Sequence, residues 1–375
     1  MKLKEKSQDS CQAWQSYHDN DVEKFRQLIK DGYDVNGFML DGKSLIEHIL
    51  MNYGQIDKNI EFFDELINDN VDFKSIIKQK FLLSMAVNNP SEKAIHYIKK
   101  ILQYNYSIDS FGAIRKRNSI NGIDYCVKYN PPIFESIGPL SSSENFHFYD
   151  LILEKNPDLE ICNEYGETII SYLIDYHHTY YIKYCNFYLL IDKMIKKGAD
   201  PNQRNYLDGT NSLHRLCECP KISSNYEKLF DLFLNSGCDI NSLNPKGSHA
   251  LMFSTYHNNP SATKILIEKG SDINISNRYG LTAIIYAVEQ GNVLPFDILL
   301  DHNAILTNVD IYGSNIFHNM LRSNMHNEYF YIKILERNPE LLSMQNKKGE
   351  TPIDMVQKIE HERTRTSLLS LMSKY

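Results

Sequence analysis

A chain of 375 residues with a formal charge of −7, 42% hydrophobic and 23% charged residues has the composition of folded material. It exceeds the length that one hydrophobic core usually serves, so several domains or an elongated array are expected. Its cations form no block beyond Lys2, Lys4 and Lys6 at one end and Arg363 and Arg365 at the other. The clustered basic footprint of a duplex-binding protein is therefore absent, and no nucleic acid is expected as partner.

In chain order, the opening stretch "MKLKEKSQDSCQAW" holds no apolar run and does not read as a secretory signal. No window approaches the roughly 18 consecutive apolar residues of a membrane span. The seven cysteines follow no disulfide spacing, which points to reduced thiols and a cytoplasmic location. "DNDVEKFRQLIKD" (19–31) carries one apolar stripe and one charged face, the pattern of a surface helix. "FRQLIKDGYDVN" (25–36) introduces a phrase that "FFDELINDNVDF" (62–73) repeats weakly. "FLLSMAVNNPSEKAIHYIKKILQYNYSID" (81–109) predicts two antiparallel helices. "YNPPIFESIGPLSSSENF" (129–146) breaks helices and predicts a loop, either a tolerated insertion or a binding or modification excursion.

From residue 163 the chain repeats itself. "NEYGETIISYLID" (163–175), "YLDGTNSLHRLCE" (206–218), "NPKGSHALMFSTY" (244–256), "NRYGLTAIIYAVE" (277–289), "DIYGSNIFHNMLR" (310–322) and "NKKGETPIDMVQK" (346–358) each carry a glycine at the fourth position and then an apolar run. Gly247, Gly280 and Gly313 are spaced by two steps of 33 residues. The second halves repeat as well, in "LLIDKMIKKGADPN" (189–202), "LFDLFLNSGCDIN" (229–241) and "ATKILIEKGSDIN" (262–274). Gly198, Gly237 and Gly270 fall where a left-handed helix stop favours a residue without Cβ, and the Asp-x-Asn after them suits a turn. Longer units place their excess between two helices, at 175–192 and 219–228.

These halves together resemble the ankyrin repeat, with "GETPID" (349–354), "GLTAII" (280–285) and "GADPN" (198–202) as the nearest matches to its Gly-x-Thr-Pro-Leu-His and Gly-Ala-Asp-x-Asn phrases. The resemblance implies an all-α solenoid of stacked helix-turn-helix units with hairpin loops, monomeric, in nine or ten repeats. Residues 1–40 are expected to form an N-terminal capping repeat. Degenerate repeats then occupy 41–160, regular repeats 161–346, and a C-terminal capping repeat 347–375. Because one helix pair cannot cover its own apolar side, stacking supplies the core.

The cluster His214, Cys217 and Cys219 in "GTNSLHRLCECP" (209–220) invites a metal or thiol reading. A zinc site needs three or four ligands in tetrahedral reach, and no second Cys-x-x-Cys or His pair lies nearby. The resemblance instead places His214 at the Leu-His position, bonding the backbone of the neighbouring hairpin. Cys217 becomes a small packed hydrophobe. The adjacent His177 and His178 point to different faces of a helix. Cys126, Cys162 and Cys185 lack a local base. No phosphate loop, dinucleotide fingerprint, nucleophile elbow or His-Glu-x-x-His occurs. Neither cofactor nor metal is expected, and the chain is read as a non-enzyme.

Ankyrin proteins bind other proteins through a concave surface of hairpin tips and first helices. Carried over position by position, the resemblance implies partner contacts at Tyr165, Tyr176, Asp208, Lys246, Tyr256, His257, Arg278, Tyr279, Glu289, Tyr312 and Arg322. Tyrosine and arginine are enriched at interface hot spots. Degenerate repeats and the Asn-, Ile-, Lys- and Tyr-rich composition, with 25 tyrosines, resemble ankyrin effectors of intracellular bacteria and large DNA viruses, which implies a host protein as partner. The resemblance also marks Asn202, Asn241 and Asn274 as positions for asparagine hydroxylation. The competing reading is an enzyme whose catalytic element lies in 75–160.

Overall fold

The structure is a computed structural model that describes residues 12–33, 45–51, 56–68, 96, 97, 100, 119, 120, 123, 124, 150, 153, 154, 156–163, 165–180, 187–219 and 226–375. Two compact units divide the chain: Met1–Ile169 with Ile182–Ala199, and Ile170–Tyr181 with Asp200–Tyr375. Most of the pair expected at 81–109, and the loop expected at 129–146, lie outside the described residues.

In the first unit, residues 12–18 form α1, followed by α2 (Val22–Lys30), α3 (Leu45–Met51) and α4 (Ile56–Asn68). Asp21 caps α2 by accepting from the Lys24 N–H. Phe25 and Leu28 of α2 are buried while its charged residues face out, as the amphipathic pattern of 19–31 predicts. Tyr17, Phe25 and Phe62 meet edge-to-face at 5.0 to 5.2 Å. The buried Tyr17 hydroxyl donates to Asn59 Oδ1 at 2.6 Å, so its polar end is satisfied inside the cluster. One departure from an all-helical chain is the two-residue antiparallel pair of β1 (Ser119–Ile120) and β2 (Ile123–Asp124). It joins no larger sheet among the described residues.

α5 (Ile169–Tyr180) belongs to the second unit from Ile170 onward, and α6 (Phe187–Lys196) belongs to the first. α5 has 12 residues against 7 in α7 (Ser212–Glu218), so part of the excess expected at 175–192 extends a helix.

The second unit continues as α8 (Tyr226–Asn235), α9 (Ala250–Tyr256), α10 (Pro260–Glu268), α11 (Ala283–Glu289), α12 (Val293–Asp301), α13 (Ile316–Arg322), α14 (Glu328–Leu335), a 3₁₀ turn (Pro339–Ser343), α15 (Pro352–Gln357) and α16 (Glu362–Met372). Each turn-helix-turn-helix unit places a short first helix before a longer or equal partner. α7, α9, α11, α13 and α15 pack side by side, and on the second layer α10 meets α12 and α14 meets α16. Helices of 7 residues are too short to hold themselves in water, so packing supplies their stability. Leu251, Ala287, Phe296, Leu299, Phe317 and Phe330 are fully buried between the layers.

Helix ends follow the phrases read in the sequence. After α10, Gly270 takes φ +89, its N–H bonds the Ile267 carbonyl at 3.0 Å, and the Ser271 N–H bonds Leu266 at 2.9 Å. That double bond is the left-handed stop, and it recurs at Gly198 and Gly237. Asn303, at φ +61, ends α12 in the same way. Asparagine tolerates the left-handed region better than other side chains do, so a search for glycine passes over this unit.

Buried asparagines then tie successive units together. Asn259 precedes Pro260 and donates to the carbonyls of Cys217 and Cys219 and to the Tyr226 hydroxyl. Asn292 likewise donates to the carbonyls of Thr255 at 2.7 Å and Tyr256 at 3.1 Å. These bonds add donors to carbonyls at a helix C-terminus, where intrahelical partners run out; Cys219 O also accepts from the Tyr226 hydroxyl at 3.2 Å.

Candidate protein-interaction face

Four tips of the second unit are built by one polar side chain each, and the 205–210 tip by two, Asn205 accepting the Leu207 N–H and Asp208 the Thr210 N–H. Asn277 Oδ1 accepts the N–H groups of Tyr279 at 2.9 Å and Leu281 at 3.0 Å. Asn244, Asp310 and Asn346 do the same in their turns, and Asn163 does so in the first unit. These residues open five of the six aligned segments, and Asn205 precedes the sixth. Their role was visible in the alignment but overshadowed by the glycine. Successive tips are joined by backbone bonds: Arg278 N–H to Lys246 O at 3.0 Å, Ile311 N–H to Tyr279 O at 3.0 Å, and Lys347 N–H to Tyr312 O at 2.8 Å. The order of tips along the face is thus fixed by main chain.

Behind the tips, His214 and His318 fix the turns to the helices. His214 sits beside Asn211 in the capping arrangement of α7, and its Nε2 lies 3.2 Å from the Ser248 carbonyl of the next tip. His318 repeats this with Asn315 and the Glu350 carbonyl at 2.8 Å. Burial pushes His214 down to about 4, against the opposing pull of the Ser248 carbonyl. Burial also pushes the thiols of Cys217 and Cys219 up, the latter to about 12, so neither is an activated nucleophile. Among the described residues no group of three or more His, Cys, Asp or Glu side chains is placed to hold a metal ion.

Several sequence-predicted contact residues of the second unit fall into two local groups, Lys246 with Tyr256 and His257, and Tyr312 with Arg322. Tyr279 and Tyr312 stand out from their tips at 48% and 61% exposure, and Tyr256, ending α9, is 46% exposed. Tyr256 packs edge-to-face on His257 at 5.1 Å and on Tyr286 at 5.8 Å. With Lys246 and Phe253 they line a depression of about 310 Å³. Tyr312, Arg322, Lys347 and Lys348 line a second of about 510 Å³. Tyr165 is exposed on a tip of the first unit, and the side chain of Tyr176 lies outside the described residues.

Three predicted residues prove to be engaged inside the protein. Asp208 pairs with Arg215 at 2.9 Å, and Arg215 also holds Glu218. Arg322 reaches the Asp310 carboxylate at 3.2 Å, Glu289 at 3.8 Å and the Tyr312 ring at 6.0 Å. Asp310 is only 2% exposed at its side chain, and its remaining oxygen holds the tip N–H groups. Burial raises Glu289, opposed by Arg322. Arg322 therefore links the end of α11 to the 310–315 tip and positions Tyr312. A wider depression of about 620 Å³ lies elsewhere, between α14 and α16, and contains none of the predicted residues.

Comparison with known proteins places this geometry. Residues 213–312 match the family described as ankyrin repeats in three copies. A crystal structure of the ankyrin repeat domain of Bcl-3, a member of the IkappaB protein family, is similar at 19% identity and a TM-score of 0.47, over 64% of this chain and 98% of that one. No match was found among curated proteins. The chain thus contains ankyrin repeats, a protein-interaction module, arranged as an all-α stack of helix pairs. Among the described residues no helix is long and apolar enough to cross a membrane.

Proposed function

We propose that this protein is a non-enzymatic scaffold that binds a protein partner on the tip face of its second unit. The observation that carries the reading is the exposure of Tyr256, Tyr279 and Tyr312 along tips and helix ends whose backbone is locked. A fixed backbone presenting large, low-entropy side chains loses little freedom on binding. Buried, protonated Cys217, Cys219 and Cys238 suit a reducing, cytoplasmic location. The composition supports a host protein as the partner.

The test is a double substitution, Tyr279→Ala with Tyr312→Ala. Both rings are exposed, so melting should be unchanged while affinity for a captured partner falls more than about tenfold. Unaltered affinity in a well-folded double variant removes this face from consideration.

A further inference from the structure

We infer that the tip face takes an extended, acidic segment of a protein partner, an inference that rests on the proposed binding face and specifies what it recognises. The chain as a whole carries −7, yet the exposed groups along these tips are cationic. Lys246, Arg278 and Lys348 are exposed and make no ion pair among the described residues; Lys347 donates to the Ile311 carbonyl at 2.7 Å, an uncharged partner. The carboxylates of the same face are already committed. Asp208 is held by Arg215, Asp310 by Arg322 and its own tip, Glu289 lies behind Arg322, and Glu350 is paired with Lys358 at 2.5 Å. Arg215 is shared by Asp208 and Glu218, and Arg322 by Asp310 and Glu289, but along the tips from Lys246 to Lys348 the exposed groups outside any ion pair are cationic, and complementary charge would speed encounter and fix register.

The spacing fits an extended chain. Side-by-side helices lie about 8–10 Å apart, and an extended segment advances about 3.3 Å per residue, so one tip is passed roughly every three residues. Running along the face, a segment would meet Lys246, then Arg278 beside Tyr279, then Tyr312 with its neighbouring depression, then Lys347 and Lys348. An acidic residue at each end and an apolar or aromatic residue in the middle satisfy that series. The tyrosines supply contact area, and the cations supply sign selection.

The 375-residue protein should be titrated by fluorescence anisotropy against three labelled probes: an extended Asp- and Glu-rich peptide with a central Leu-Phe, the same peptide with Asn and Gln in place of the acids, and an oligothymidylate of similar charge. The acidic peptide is expected to bind at least about tenfold tighter than its neutral counterpart, with the difference shrinking as salt screens the exposed charges. The variant carrying Lys246→Glu, Arg278→Glu and Lys348→Glu spares the Lys347 bond between tips and alters only exposed groups. It should lose that preference while keeping its melting temperature. Equal binding of acidic and neutral peptides, both weakened by Tyr279→Ala with Tyr312→Ala, would overturn the charge inference and leave the binding face standing. No binding of the acidic peptide, or tighter binding of oligothymidylate, would also overturn it. Partner capture by the tyrosine variant judges the face independently.

Discussion

At the scale of single residues, two glycines in similar backbone regions make opposite predictions about space. Gly280 has φ +79, and a Cβ placed there would lie 2.7 Å from Asp310 Cα and 2.8 Å from the Val309 carbonyl oxygen. Gly270 has φ +89 and nothing within 4 Å of the same point. Gly270→Ala should therefore cost only backbone strain, about 1 kcal/mol, while Gly280→Ala adds overpacking and should cost about 2–4 kcal/mol. Urea denaturation of both variants checks this, and equal losses would mean that the tips do not approach as closely as described. Buried imidazoles predict a pH dependence. His214 and His249 are held near 4 by burial, below the ordinary 6.5. With the folded value depressed, the unfolded chain takes up protons first. The stabilising contribution is complete above about pH 6.5 and is lost as pH falls from there through about 4, roughly 2 kcal/mol per ring by pH 5. Urea midpoints measured at pH 7 and pH 5 should differ accordingly, and His214→Asn should reduce the difference even though it also lowers stability at pH 7.

At the scale of elements, the sequence made the unit boundaries legible because they are set by local chemistry. A glycine, an Asn or Asp three residues earlier (four earlier before Gly209) and an apolar run after it are all readable in one dimension, and α7, α9, α11, α13 and α15 start shortly after these glycines, each of which has positive φ. Of the bonds that cross units, the one from His214 to the Ser248 carbonyl was implied by the family resemblance, but the rest were not legible. Period tells which residues are equivalent, but not that Asn292 reaches the Thr255 carbonyl or that Arg322 joins Asp310 to Glu289. The latter matters for the candidate site, since Arg322 and Glu289 were read as free contacts and turn out to support Tyr312. Within the 347–375 segment expected to cap the chain lies α16, with Leu368, Leu371 and Met372 buried against the preceding unit. A chain ending at Glu360 should consequently remain folded but expose the apolar side of α14. Sedimentation should show self-association absent from the full chain, and a truncated form that stays monodisperse would show that α16 covers little.

At the scale of the whole molecule, stability is expected to vary along the second unit. In a stack each helix pair contacts only its neighbours, so stability is close to a sum of unit and interface terms. α11 is flanked by α9 on one side and α13 on the other, whereas α16 packs chiefly on α14 and α15. A pair with two interfaces opens only when both are lost, and the pair at the end opens with the loss of one. Amide exchange followed by mass spectrometry should find the amides of α11 and α12 most protected and protection falling through α13 and α14 to α16. The same gradient should steepen in Gly280→Ala, whose strain sits at the tip joining the α11 unit to the next one. Uniform protection across these helices, lost together in one transition, would instead mark a single cooperative core. The tips would then owe their fixed spacing to that core, and not to the chain of backbone bonds from Lys246 to Lys347 that holds the proposed binding face in register.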